Sequence, residues 1–153
     1  MIARDAYNPA DAPLSELVLP DALRAGIIAH LRDALPNEGC GLLAVNPEHV
    51  AVKFYPGDNL DASPLRFTMD PAMVIAAFKD MEAAGWRLGA IVHSHPRTPA
   101  TPSITDLREA HYPAALMLIG SFETGEPELR AWAITTGPDG RREVIGERPI
   151  RPG

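Results

Sequence analysis

"WRLGAIVHSHPRTPATPSITD", residues 86–106, runs from an apolar strand through a proline-rich turn into a helix start. Trp86–His95 has the length and apolar content of a strand, while Ser103–Asp106 has the Ser-x-x-Asp pattern that begins helices. Between them "TPATP" is a stiff connector that carries the chain back over the strand end. Side chains alternate along a strand, so His93 and His95 share one face, about 6.5–7 Å apart along the backbone, and Ser94 points the other way. Imidazoles so placed can converge on one ion, and an open catalytic zinc site takes three protein ligands and a water. Asp106, which shares a helical face with Ser103, is the candidate third ligand. A plainer reading stands beside this one. Ser103 is a good N-cap, Asp106 suits the helix dipole, and two histidines can decorate a surface turn. The cap and the site are compatible, because a serine can accept with one lone pair and donate its hydroxyl elsewhere.

The elements on either side set the fold class. "SITDLREAHY" is a short helix stopped before Pro113, and "AALMLIGSF", "ELRAWAITT" and "REVIGERPI" are three further strands joined by "ETGEP" and "GPDG" turns. Upstream, "DPAMVIAAFKDMEAAG" is a helix opened by Asp-Pro and closed at Gly85. "GDNLDASPLRFTM" before it is a long surface loop, of a length that tends to be functional. "EGCGLLAV" and "HVAVKFYP" are strands separated by an "NPE" turn. "DALRAGIIAHLRDAL" is an amphipathic helix on Leu23, Ile27, Leu31 and Leu35, with Asp21 at its start and Pro36 beyond its end. "LSELVLP" is a short strand, and residues 1–13 read as a flexible arm. Strands neither alternate strictly with helices nor segregate from them. The expectation is one α/β domain over residues 1–153, a mixed central sheet flanked by helices.

Composition narrows the function classes. A chain of 153 residues can bury a proper core as one domain, and its 46% apolar and 22% charged residues are the balance of a globular protein. The net charge of −6 gives no support to nucleic-acid binding. Apolar stretches such as "AALMLIG" fall far below the roughly 20 residues of a membrane helix, and "MIARDAYNPADAP" lacks the apolar core of a secretory signal. With Cys40 alone there is no internal disulfide, which fits a cytoplasmic protein.

A hydrolytic zinc needs a base for its water, and Glu38, opening the apolar "EGCGLLAV", is the upstream candidate. A glutamate there is also explained by the water-exposed end of a strand. Cys40 reads as a packed hydrophobe, with a fourth-ligand or redox-switch role as the alternative. His30 and His49 read as solvated, and His111 as the residue ending the short helix and favouring its dipole. Trp86 and Trp132 read as core edges. The loop from Pro56 to Arg66 is either a grip for an extended substrate tail or a plain connector.

Glu38, the long gap, His93-Ser94-His95-Pro96, then Ser103 and Asp106 at their spacing resemble the motif of the JAMM (MPN+) metalloproteases. The resemblance runs from about residue 15 to 147 in element order. "NLDASPLRFTMDP" is similar to a stretch that compact prokaryotic members place before their second helix. Ala44 and Val45 depart from it, where smaller residues are common. The resemblance implies the cytidine-deaminase-like JAMM/MPN fold and a zinc-dependent isopeptidase. It implies one zinc on His93, His95 and Asp106, Glu38 as general acid/base and Ser103 steadying the oxyanion. It further implies cleavage after the C-terminal Gly-Gly of a ubiquitin-like or ThiS/MoaD-type sulfur-carrier protein. The alternatives are a non-catalytic scaffold of the same fold and a zinc amidohydrolase for small molecules. DNA processing, known among distant relatives of the fold, is disfavoured by the acidic balance.

Overall fold

The structure is a computed structural model that describes residues 5–153. Its elements run β1 (Leu17–Val18), α1 (Asp21–Ala34), β2 (Cys40–Val45), β3 (Ala51–Gly57), α2 (Pro71–Ala84), β4 (Arg87–His95), α3 (Ile104–Arg108), β5 (Leu116–Ser121), β6 (Glu128–Thr136), β7 (Arg142–Arg148) and β8 (Ile150–Arg151). Six strands form one mixed sheet in the order β3-β2-β4-β5-β6-β7. β4 and β5 are parallel and every other neighbouring pair in that sheet is antiparallel.

The sheet is covered on both faces, and the period of two sorts its side chains between them. Leu43 and Val45 of β2 join Ile27 and Leu31 of α1 in one apolar cluster, with Val92 and Leu118. Leu42 and Ala44, one residue out of step, join Ala77 and Met81 of α2 in the other. β2 is accordingly buried along its whole length and reads as a continuous apolar run rather than an alternating one. α2 starts and stops where its residues dictate. The Asp70 carboxylate accepts from Ala72 N at 3.0 Å, Pro71 occupies the first turn, and Gly85 closes the helix at φ 76°.

Four expectations are corrected. Leu35 falls beyond α1 and is 37% exposed, because the chain turns into Pro36 instead of completing another helical turn. The last strand breaks at Pro149, which has no N–H to donate; its continuation, β8, leaves the main sheet and pairs in parallel with β1. Residues 1–4 of the expected arm lie outside the described residues, but its remainder does not hang free. Ala6 is buried, its carbonyl accepts from Leu88 N at 2.7 Å, and the Tyr7 hydroxyl accepts from Ala114 N at 3.1 Å. His30 is not solvated: its Nε2 lies 3.0 Å from both Cys40 O and Gly57 O and donates to this pair of carbonyls between β2 and β3. Trp86 and Trp132 sit at core edges as expected.

The register of α1 is open to test. Leu31 is fully buried, so Leu31→Ala is expected to lower unfolding free energy by roughly 2–5 kcal/mol. Leu35→Ala should shift it by no more than about 0.5 kcal/mol. Chemical denaturation of the two variants against the parent checks both.

Candidate metal centre and catalytic site

The site forms where β4 ends. Its partner β2 runs antiparallel with Cys40 opposite His93, and continuing that register by two residues brings Glu38 across from His95. The two strands are locked at the residue between. Ser94 N donates to Gly39 O at 3.0 Å, and Gly39 N donates to Ser94 Oγ at 2.8 Å. Ser94 thus serves the back of the strand while its two neighbours face the front. Gly39 has no room for a side chain, since a Cβ there would stand 2.9 Å from Leu31 Cδ2.

The connector after His95 folds back over the sheet end and is pinned from below. Trp132 Nε1 donates to Ala100 O at 2.8 Å, and Ser121 Oγ donates to Thr98 O at 2.6 Å. It delivers α3 through a reciprocal cap: Asp106 N donates to Ser103 Oγ at 3.0 Å, and Ser103 N donates to Asp106 Oδ2 at 2.9 Å. The cap reading and the site reading therefore both hold. The oxygen that closes the cap also lies 3.1 Å from His93 Nε2 and 3.0 Å from His95 Nε2. His93, His95 and Asp106 are all buried, and their ligand atoms lie within 4.8 Å of one another.

The protons in this cluster decide whether it suits a metal. His95 Nδ1 is 2.7 Å from Pro99 O and must donate there, which leaves the Nε2 lone pair facing Asp106. Both His93 ring nitrogens are buried without an aligned hydrogen bond among the described residues, despite the short approach of Nε2 to Asp106. Imidazole lone pairs aimed at a carboxylate oxygen repel unless a cation stands between them. The donor set of two nitrogens and one oxygen fits a divalent transition ion with a position left open.

The two carboxyl groups differ sharply. Burial works against the Asp106 anion, but positive charge on the adjoining His93 and His95 rings, with the Ser103 N–H, outweighs it and holds the carboxyl well below the usual range. Glu38 goes the other way. Burial first, and then the Asp106 charge, push it up to about 8, with His95 opposing. Its Oε1 is buried and has no hydrogen-bond partner among the described residues. Burial also opposes the His95 cation, yet Asp106 and the Pro99 carbonyl raise its pKa.

A cleft of about 620 Å³ opens beside these groups, with His93 and Asp106 in its wall and Arg66, Met69, Ile75 and Tyr112 among its lining. Phe67, at the end of the long loop, stacks on His93 with centroids 4.9 Å apart and planes at 25°.

All five residues singled out in the sequence, Glu38, His93, His95, Ser103 and Asp106, lie in this one region. Cys40 does not join the ligand set: it is fully buried, and burial, then Asp58 and Glu38, push its thiol up to about 12, far from a thiolate. His111 is corrected, for α3 ends at Arg108 and His111 lies exposed in the following loop. Ser121, Trp132 and Phe67 carried no ligand chemistry to betray their supporting roles.

Two buried imidazoles, a shared carboxylate and a buried glutamate beside an open cleft define a candidate metallohydrolase centre. The family model described as prokaryotic homologs of the JAB domain matches residues 20–135, and the chain belongs to that family. It is 37% identical over 106 residues to a Thermus thermophilus protein named as a probable TtuB-protein conjugate cleaving protease, covering 69% of this chain and 70% of that one. It is 33% identical over 137 residues to the CysO-cysteine peptidase of Mycobacterium tuberculosis, covering 88% and 89%. Its fold matches the solution structure of a Desulfitobacterium hafniense protein with a TM-score of 0.74 at 37% identity, over 90% of this chain and 94% of that one. With peptidases as its named relatives, the chain is a hydrolytic enzyme. No helix among the described residues is long and apolar enough to cross a membrane.

Ser94→Ala tests the lock between the strands. It removes the acceptor of the buried Gly39 N–H, and an orphaned buried donor costs about 1–3 kcal/mol. The denaturation midpoint should fall accordingly.

Proposed function

We propose that this chain is a zinc-dependent isopeptidase that cleaves after the C-terminal Gly-Gly of a ubiquitin-like or sulfur-carrier protein. The observation that carries the reading is the buried set His93, His95 and Asp106, with ligand atoms within 4.8 Å of one another, of which His93 and Asp106 line an open cleft. The names of the relatives support the substrate class, one being named for cleaving a protein conjugate and the other for acting on CysO-cysteine.

His93 Nε2, His95 Nε2 and Asp106 would hold the ion. When bound, zinc supplies a water of lowered pKa and a Lewis acid for the scissile carbonyl. The chain's own groups move the protons. Glu38 accepts a proton from the attacking water and returns it to the leaving amine nitrogen, a task that favours a carboxyl with a pKa near the working pH. Burial and the neighbouring Asp106 charge raise its pKa, and a cation held by the ligand set would oppose the Asp106 part of that rise. The Ser103 hydroxyl accepts from Asp106 N, which leaves its proton free to donate to the oxygen that gains charge in the transition state. The loop over residues 56–66 leads into Arg66 and Phe67 on the cleft side, and we assign it to holding the extended tail. A Gly-Gly segment suits such a site because it brings no side chains between its backbone and the metal.

The test is a sulfur-carrier protein joined through its Gly-Gly to a second polypeptide. Cleavage should require zinc, stop with chelator, and be lost in Glu38→Gln while the variant keeps one zinc per chain. Ser103→Ala should lose about 100–1,000-fold in rate. His95→Ala should lose zinc itself. Wild-type rates in Glu38→Gln would remove it as the base. A zinc-loaded enzyme that leaves the conjugate intact but hydrolyses small amides would replace the protein substrate with a small-molecule one.

A further inference from the structure

We propose that Asn59 is a positioning residue for the reaction: its carboxamide fixes the main chain that aims Glu38 into the site and couples that aim to the loop beside the cleft. The inference rests on the reading of Glu38 as the base.

Glu38 precedes β2, whose ladder begins at Cys40, so its own main-chain groups have no strand partner. They are taken up by the long loop instead. Glu38 N donates to Ser63 O at 2.8 Å, and Glu38 O accepts from Asn59 Nδ2 at 3.0 Å. Its Oε1 has no hydrogen-bond partner among the described residues. The direction of the carboxyl group is therefore inherited from a stretch of backbone hung between Ser94 behind it and the loop in front.

Asn59 makes more of that loop's hydrogen bonds than any other side chain in it. Nδ2 also reaches Arg66 O at 2.9 Å and Ser63 O at 3.3 Å, while Oδ1 accepts from Asp61 N at 3.0 Å and Thr68 N at 3.2 Å. Leu60 N donates to Thr68 O at 2.9 Å and closes the loop at its base. One side chain thus grips the loop's entry, middle and exit together with the residue that carries the base. The far end of the same loop presents Phe67, stacked on His93.

An aspartate cannot substitute. It has nearly the shape of asparagine but offers only acceptors, so one of its oxygens would face the carbonyls of Glu38, Ser63 and Arg66 with nothing to donate. A shift of the loop therefore reaches the backbone of Glu38 through this amide and through the Ser63 carbonyl that the amide also holds.

The experiment compares Asn59→Asp and Asn59→Ala with the wild type in the zinc-loaded full chain, reading kcat, KM and zinc content on the Gly-Gly conjugate and amide hydrogen exchange by NMR. Misplacement of a reacting group by about 1 Å can cost on the order of 100-fold. The expected result is a kcat loss approaching that size with KM and zinc stoichiometry unchanged, and loss of protection at the Glu38 amide while Leu42–Val45 stay protected. Leu17→Ala, which destabilises the core at β1 rather than beside Gly39, should leave kcat unchanged and so separates positioning from stability. The alanine variant adds no charge and keeps the test available if the aspartate variant does not fold. A kcat within about twofold of wild type, a change confined to KM, loss of zinc, or an unaltered Glu38 amide would each overturn the proposal. Should the wild type fail to cut the conjugate, the substrate reading falls, and the exchange measurement alone decides whether Asn59 holds Glu38.

Discussion

Asp106 Oδ2 stands 3.1 Å and 3.0 Å from two imidazole nitrogens in a place closed to solvent, and it also accepts the Ser103 N–H. A buried charge is tolerated only with partners, and here the partners' lone pairs would repel it unless a cation completes the group. Much of the architecture around the sheet end meets that condition. The Pro99 carbonyl sets the His95 tautomer, and the connector carrying Pro99 is held down by Trp132 and Ser121. The cap that starts α3 is the same contact that orients the carboxylate. Helix initiation and ligand placement are one interaction, which explains how so short a helix can hold a functional group in a fixed position.

The same environment pulls two carboxyl groups apart. Asp106 is lowered because positive charge beside it and the Ser103 N–H favour its anion against the penalty of burial, whereas Glu38 is raised by burial and by Asp106 itself. Division of this kind is how one site keeps one acid permanently ionised and leaves another free to exchange protons. It also makes the two roles interdependent: neutralising Asp106 would remove the second-largest influence on Glu38 as well as a ligand.

What the sequence showed best was what period and punctuation encode. The α2 limits follow from Asp70, Pro71 and Gly85, and β6 spans the same residues as the "ELRAWAITT" run, because caps and alternation act within a few residues. The site was legible because its ligands come from one strand end and one helix start fourteen residues apart or less. The misses are long-range. Ala6 and Tyr7 look like arm residues until Leu88 and Ala114 supply their partners. His30 looks solvated until two strand carbonyls from different segments meet it. Asn59 reads as a turn residue, since nothing in a local window reveals that Glu38 O lies within its reach.

The His-Ser-His triplet acquires its full logic only at the level of the sheet. Alternation gives the two histidines to the front of β4, which would leave the intervening residue as filler if one face alone mattered. Ser94 instead binds the Gly39 N–H on the β2 chain, and Gly39 is held close to Leu31 of α1 by its lack of a side chain. Ligands and base therefore sit on neighbouring chains whose separation is set between them, by a serine too small to disturb the core and polar enough to satisfy a buried donor. Alanine at position 94 would preserve the packing and lose the tie; threonine would keep the hydroxyl but add a methyl group at a position with no exposed surface. The requirement for serine is thus geometric, and it belongs to the relation between base and ligands rather than to the metal.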